Sequence, residues 1–116
     1  MVDCIFCKII AGEIPASKVY EDEYLIAIKD IQPAAPIHLL LMPKVHVENL
    51  AELASHPEAG NILQALPQAV KQLAAEFGVA DKGYRLITNT GDDGGQTVKH
   101  LHFHFLAGEK LNEKLV

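Results

Sequence analysis

The sequence predicts an α+β fold, in which an antiparallel five-stranded sheet carries one long helix and a short N-terminal helix. Three observations predict it. Five short apolar runs have strand length, several with hairpin-length connections between them. One stretch, Glu58 to Phe77, repeats apolar residues at helical spacing. The chain has 116 residues, 49% apolar and 22% charged, which suits a single domain over 1–116 and argues against disorder.

Each element has its own signal. Ile5, Phe6, Ile9 and Ile10 are spaced for a short helix, with Asp3 as the expected N-cap and Gly12 as its stop. Lys18–Glu21 and Tyr24–Lys29 read as strands joined by an acidic turn. The two prolines between Ile31 and Pro36 make a loop. Ile37–Met42 reads as a buried strand closed by Pro43, and Asn49–Leu53 as a helical turn. In the long helix, Ile62, Leu63, Leu66, Val70, Leu73 and Phe77 form the expected core face. Pro67 should kink that helix or mark its true start, and Gly78 should end it. Tyr84–Thr90 and Val98–Leu106 are the last two strands, separated by a turn with three glycines.

Bulk properties exclude several functions. A net charge of −5 argues against a nucleic-acid backbone binder, while a single nucleotide remains open as ligand. No run approaches the ~18 apolar residues of a membrane helix. Met1 to Cys7 carry no basic segment followed by a long apolar stretch, so a cytoplasmic location is expected. Cys4 and Cys7 are too close to staple the fold and read as metal ligands or a redox pair.

Chemistry concentrates in Lys99 to Leu106. Strand side chains alternate, so His100, His102 and His104 share one face, about 7 Å apart, and Leu101, Phe103 and Phe105 share the other. The apolar face can pack on the long helix. A single histidine there would more often be structural; three alternating with large apolar residues are hard to explain as packing. Imidazole titrates near neutrality and can serve as nucleophile, base, acid or ligand. Directly upstream, Gly91 to Thr97 combines glycines, whose amides can approach an anion, with a hydroxyl. Alone, that string would be an ordinary surface turn.

The motif His100-Leu101-His102-Phe103-His104-Phe105-Leu106 resembles the signature of the histidine triad (HIT) superfamily. Gly12-Glu13-Ile14-Pro15, Asp30 through His38, and Gly94-Gly95-Gln96 extend the resemblance to the Hint branch of nucleoside phosphoramidases, from about Cys4 to Gly108. The resemblance implies a HIT-like fold and a two-fold homodimer whose sheets join across the interface. It implies hydrolysis of purine nucleoside phosphoramidates, adenosine preferred, to the nucleoside monophosphate (AMP or GMP). His102 would form a nucleotidyl-histidine intermediate. His104 and Thr97 would contact phosphate and help protonate the leaving amine, with His38 and His100 completing the histidine set. Gly95, Gln96 and Thr97 would hold phosphate oxygens through their backbone. Asp30 would accept from ribose hydroxyls, Phe6, Ile9 and Ile31 would form the apolar slot for the base, and Asn89 would sit beside the phosphate. No cofactor is required for the chemical step.

Three features depart from the commonest Hint pattern. Thr97 stands where that branch usually has serine. The tail, Gly108 to Val116, has no tryptophan. Cys4 and Cys7 match bacterial members that bind structural zinc, for which His46 and His100 complete a tetrahedral set; the bland alternative is two small buried hydrophobes. Two rival functions stay open. One is a nucleotide-binding interaction protein with vestigial catalysis. The other is a catalytic metal site on the His-x-His strand, for which the only nearby carboxylates in the sequence are Asp92 and Asp93. Lys44 and Lys99 could steer anions, although a plain surface role is the default. His56 reads as a solvated loop residue or a neighbour of a helix N-terminal cap.

Overall fold

Alternation along the middle strands gives this sheet two covered faces. The computed structural model describes residues 4–115. It contains, in order, α1 (Ile5–Ile10), β1 (Lys18–Glu21), β2 (Leu25–Lys29), β3 (Ile37–Pro43), α2 (Leu50–Leu53), α3 (Ala59–Glu76), β4 (Arg85–Ile87) and β5 (Phe103–Ala107). The five strands form one antiparallel sheet in the order β1-β2-β3-β5-β4. Leu25, Ala27, Leu39, Leu41 and Phe105 point to one face and bury against Ile62, Ala69, Val70 and Leu73 of α3. Ile26, Ile28, Leu40 and Met42 point to the other and bury with Cys4 and Phe6 at α1. Burial on both faces explains why β2 and β3 read as near-continuous apolar runs.

Local chemistry sets the element ends. The expected cap of α1, Asp3, lies outside the described residues. Cys4 holds the N-cap position in extended conformation, and its Sγ accepts from the Cys7 N–H at 3.4 Å. β2 begins at Leu25 rather than Tyr24 because Asp22 Oδ1 takes both the Tyr24 and Leu25 amides, at 2.8 and 2.7 Å. Asn49 caps α2 by accepting from the Glu52 N–H at 2.9 Å.

In α3 the helix runs through Pro67, which therefore does not mark its start. Proline removes the bond to the Leu63 carbonyl. Both residues lie on the exposed side, Leu63 at 48%, so water can serve that carbonyl. The expected core place of Leu63 is a correction: Ala69 and Ala74 pack instead, because the buried stripe passes beside position 63. None of the helices among the described residues is long and apolar enough to cross a membrane.

β4 and β5 are shorter than the sequence suggests. The Leu101 N–H donates to the Val47 carbonyl at 2.8 Å, and the Thr88 hydroxyl donates to the His102 carbonyl at 2.9 Å. The chain from His100 to His102 is thus held by a loop and a side chain instead of a ladder. The alternation survives: Leu101 and Phe105 belong to the α3-side core, and Phe103 packs against it.

Candidate active site

The α1 face of the sheet carries a cavity of about 420 Å³. Its floor is a row across three strands, Ile28, Leu40 and His104, which the register places side by side. Phe6 and Ile9 of α1 supply an apolar wall, and Asp30, Ile31, Thr97 and His102 also line it. An apolar pocket of this volume with a few convergent polar groups fits a small organic ligand. Ile31 stands at this cavity yet is 95% exposed, so the apolar slot rests mainly on Phe6, Ile9, Ile28 and Leu40.

Hydrogen bonds assign the imidazole protons. His102 Nδ1 lies 2.7 Å from the His100 carbonyl, which can only accept, so Nδ1 bears the proton. Nε2 of His102 then keeps its lone pair, and the ring lines the cavity. The Ala34 N–H donates to His38 Nδ1 at 2.9 Å, which places the neutral ring's proton on Nε2. That proton is donated to His104 Nδ1 at 2.9 Å. His104 therefore presents Nε2–H as a donor. Burial, then the neighbouring His102 and His38, hold the His104 pKa below the ordinary histidine value, against a smaller upward pull from Asp30. The neutral form is favoured near pH 7.

Asp30 does more than the sequence suggests. Its Oδ1 accepts the Gln32 N–H at 2.8 Å, while Oδ2 lies 3.4 Å from His38 Nε2. Asp30, His38 and His104 thus cluster, with ligand-type atoms within 4.8 Å of one another. Asp92 and Asp93, read from sequence as the only nearby carboxylates, are corrected here. Asp92 is almost fully exposed and pairs with Lys99, because the glycine turn carries it outward. β2 and β3 bring in Asp30 instead, through the Asp30 N–H bond to the His38 carbonyl at 3.0 Å.

The glycine turn is braced from inside. The Gln96 side chain is buried, accepting from the Gly91 N–H at 3.0 Å and donating to the Glu48 and Val98 carbonyls at 2.6 and 3.0 Å. Asn89 Nδ2 donates to the Gly94 carbonyl at 2.7 Å. A side chain on Gly94 would collide with the Thr90 carbonyl oxygen. Gly95 adopts φ +81°, a conformation favouring glycine. Asn89 and Gln96 therefore shape the turn, and Thr97 is the turn residue that lines the cavity.

His100 separates from its two neighbours. It is fully buried, does not line the cavity, and joins Cys4, Cys7 and His46. Its Nε2–H donates to the Pro43 carbonyl at 2.9 Å, leaving the Nδ1 lone pair toward the cluster. Nδ1 lies 3.5 Å from Cys4 Sγ, 3.6 Å from Cys7 Sγ and 3.2 Å from His46 Nδ1, and Cys7 Sγ lies 3.3 Å from His46 Nδ1. Zinc bonds of about 2.0–2.1 Å to nitrogen and 2.3 Å to sulfur, arranged tetrahedrally, set ligands ~3.3–3.8 Å apart, so the residues fit the ion. A carbonyl behind a ligating histidine is the usual second partner. Burial and the neighbouring Cys4 push the Cys7 thiol up to about 11, so without a cation it stays protonated near neutrality.

Sequence reasoning missed three backbone or hydroxyl partners: the Ala34 amide, the Pro43 carbonyl and Thr88. None had a residue-type signal, since two act through the main chain and a threonine near a strand end is ordinary.

A family model described as HIT domain matches residues 11–111. Protein HitA of Neisseria gonorrhoeae is 50% identical over 106 residues, covering 91% of this chain and 96% of that protein. The structure of a HIT family hydrolase from Clostridium thermocellum superposes with a TM-score of 0.90 at 47% identity, covering 100% of this chain and 99% of that one. A histidine triad nucleotide-binding protein from Candida albicans superposes with a TM-score of 0.79 at 33% identity, covering 97% and 85%.

Proposed function

The chain belongs to the HIT domain family, and from that membership we propose that it hydrolyses purine nucleoside phosphoramidates, adenosine preferred, through a nucleotidyl-histidine intermediate. The observation that carries this reading is the lone pair of His102 Nε2. Its ring lines the cavity while Nδ1–H is tied to the His100 carbonyl. A hydrolase and a nucleotide-binding protein among the similar structures support the same class.

In the proposed reaction the base lies against Phe6 and Ile9, and Asp30 accepts from the ribose hydroxyls. His102 Nε2 attacks the α-phosphorus. As the N–P bond to His102 forms, the bond to the amine breaks and its electron pair stays on the departing nitrogen. That nitrogen takes the proton of His104 Nε2, with the Thr97 hydroxyl beside it. Before that transfer His104 Nε2–H donates, with the Thr97 amide, to phosphoryl oxygens whose charge grows, while the Gly95 and Gln96 amides close the turn on the Asp92 and Gly91 carbonyls. Asn89 keeps the turn in shape beside the phosphate. Water then attacks the nucleotidyl-histidine and gives a proton back to His104 Nε2, the P–N bond breaks with its pair returning to His102 Nε2, and nucleoside monophosphate departs. Splitting one displacement into two lowers each barrier.

Cys4, Cys7, His46 and His100 would hold a structural zinc ion. Such an ion supplies a cross-link between α1 and the His100 segment. The chemical step itself uses no cofactor. The protein would act as a homodimer through the edge strand β4, whose Leu86 is 36% exposed, with Tyr84 just before it 42% exposed.

The test is mass spectrometry of enzyme quenched during turnover of an adenosine phosphoramidate. The expected result is one adenylyl group on His102. A label on another residue, or turnover retained by His102→Ala, overturns the assignment.

A further inference from the structure

Beside the nucleotide cavity lies a second depression, of about 480 Å³, that the reaction above leaves unused. The two share Ile5, Ile14, Thr97 and Val98. They differ in charge. Lys29 and Asp30, of opposite charge, line the first, whereas Lys8 and Lys99 line the second, with no carboxylate among the described lining residues. The second is thus a basic lining in a chain of net charge −5.

The two cavities also divide the reacting residues between them. His102 lines only the first cavity, while Thr97 lines both. Displacement at phosphorus runs roughly in line, so the group that departs leaves opposite the attacking nitrogen. With nucleoside in the first cavity, the second adjoins it at Thr97, which lines both. Lys99 stands next to that boundary: its Nζ lies 3.3 Å from the Gln96 carbonyl and 3.2 Å from Asp92 Oδ1. The Asp92 side chain is 96% exposed, and so weak an ion pair leaves the ammonium available to a better-placed anion.

We infer that the second depression is a leaving-group subsite for anionic groups, with Lys8 and Lys99 as its specificity-determining residues; the inference rests on the nucleotidyl-transfer reading. Two kinds of substrate bring such a charge. One is an amine bearing a carboxylate, joined through P–N. The bond to His102 forms as P–N breaks, the pair goes to nitrogen, and nitrogen takes one proton. The other is a phosphate joined through P–O–P. There the pair goes to oxygen, and the phosphate departs as an anion without needing that proton.

The experiment measures kcat/KM of the full-length protein on four adenosine 5′ derivatives. They are the phosphoramidates of β-alanine, of its neutral amide and of 1,3-diaminopropane, and adenosine diphosphate. The expected order is β-alanine above amide above diamine, with about tenfold between the first and last, as suits two partly exposed charge contacts. The spread should narrow as salt rises. Lys8→Gln with Lys99→Gln should bring the ratio near one, and Lys8→Glu with Lys99→Glu should invert it. Fastest turnover of adenosine diphosphate would assign the subsite to phosphate rather than carboxylate. Equal kcat/KM across the phosphoramidates with no faster turnover of the diphosphate, or a preference untouched by the lysine variants, overturns the subsite alone. No turnover of any derivative overturns the nucleotidyl-transfer reading and the subsite with it.

Discussion

His102 is prepared as a nucleophile by one main-chain carbonyl, since the His100 oxygen holds the proton on Nδ1. His102→Asn should lower turnover of an adenosine phosphoramidate by on the order of 10³-fold or more, with folding intact by circular dichroism. His104 offers a separate test. Its folded pKa is lowered by burial first and by its histidine neighbours next, so below the ordinary value of 6.5 the unfolded chain binds the extra proton more readily. The stability this group contributes is present above pH 6.5 and is lost as pH falls from there through the lowered folded value. Tm should drop on acidification from pH 7 to 5, and His104→Asn should flatten that slope. An unchanged slope would contradict the assigned neutral state.

At the scale of elements, two segments decide the site. The glycine turn depends on the buried Gln96 side chain, which satisfies two carbonyls and one amide. Gln96→Ala leaves those groups unpaired and should cost about 1–3 kcal/mol in urea unfolding. Helix α1 closes the cavity and, through Cys4 and Cys7, meets His46 and His100. If zinc sits there, a strong chelator should lower Tm by more than about 5 °C, roughly 1 kcal/mol in a domain of this size. Metal analysis giving well under one zinc per chain would set that expectation aside. Because His100 also holds His102 through its carbonyl, the stripped protein should lose kcat more than it gains in KM.

For the whole molecule, the exposed side of the sheet edge matters. β4 ends the sheet, and an unpaired strand edge invites pairing with another chain. Light scattering should give a dimer mass at micromolar concentration, and Leu86→Lys should shift it toward monomer. A monomeric wild-type protein would remove the proposed interface.

Much of this architecture was legible in the chain, because periodicity is local. Short apolar runs marked all five strands, and the stripe of Ile62, Val70 and Leu73 marked α3. The His-x-His-x-His spacing placed its apolar partners on the α3 side, as found. Tertiary structure alone decided what each histidine does with its nitrogens. Bonds from Leu101 to Val47 and from Thr88 to His102 end the ladder early, and this divides His100 from His102 and His104. The Ala34 amide and the Asp30 carboxylate reach His38 by chain crossing, not by sequence spacing. Alternation sets which face a side chain takes, but proton positions depend on partners that only folding brings within about 3 Å.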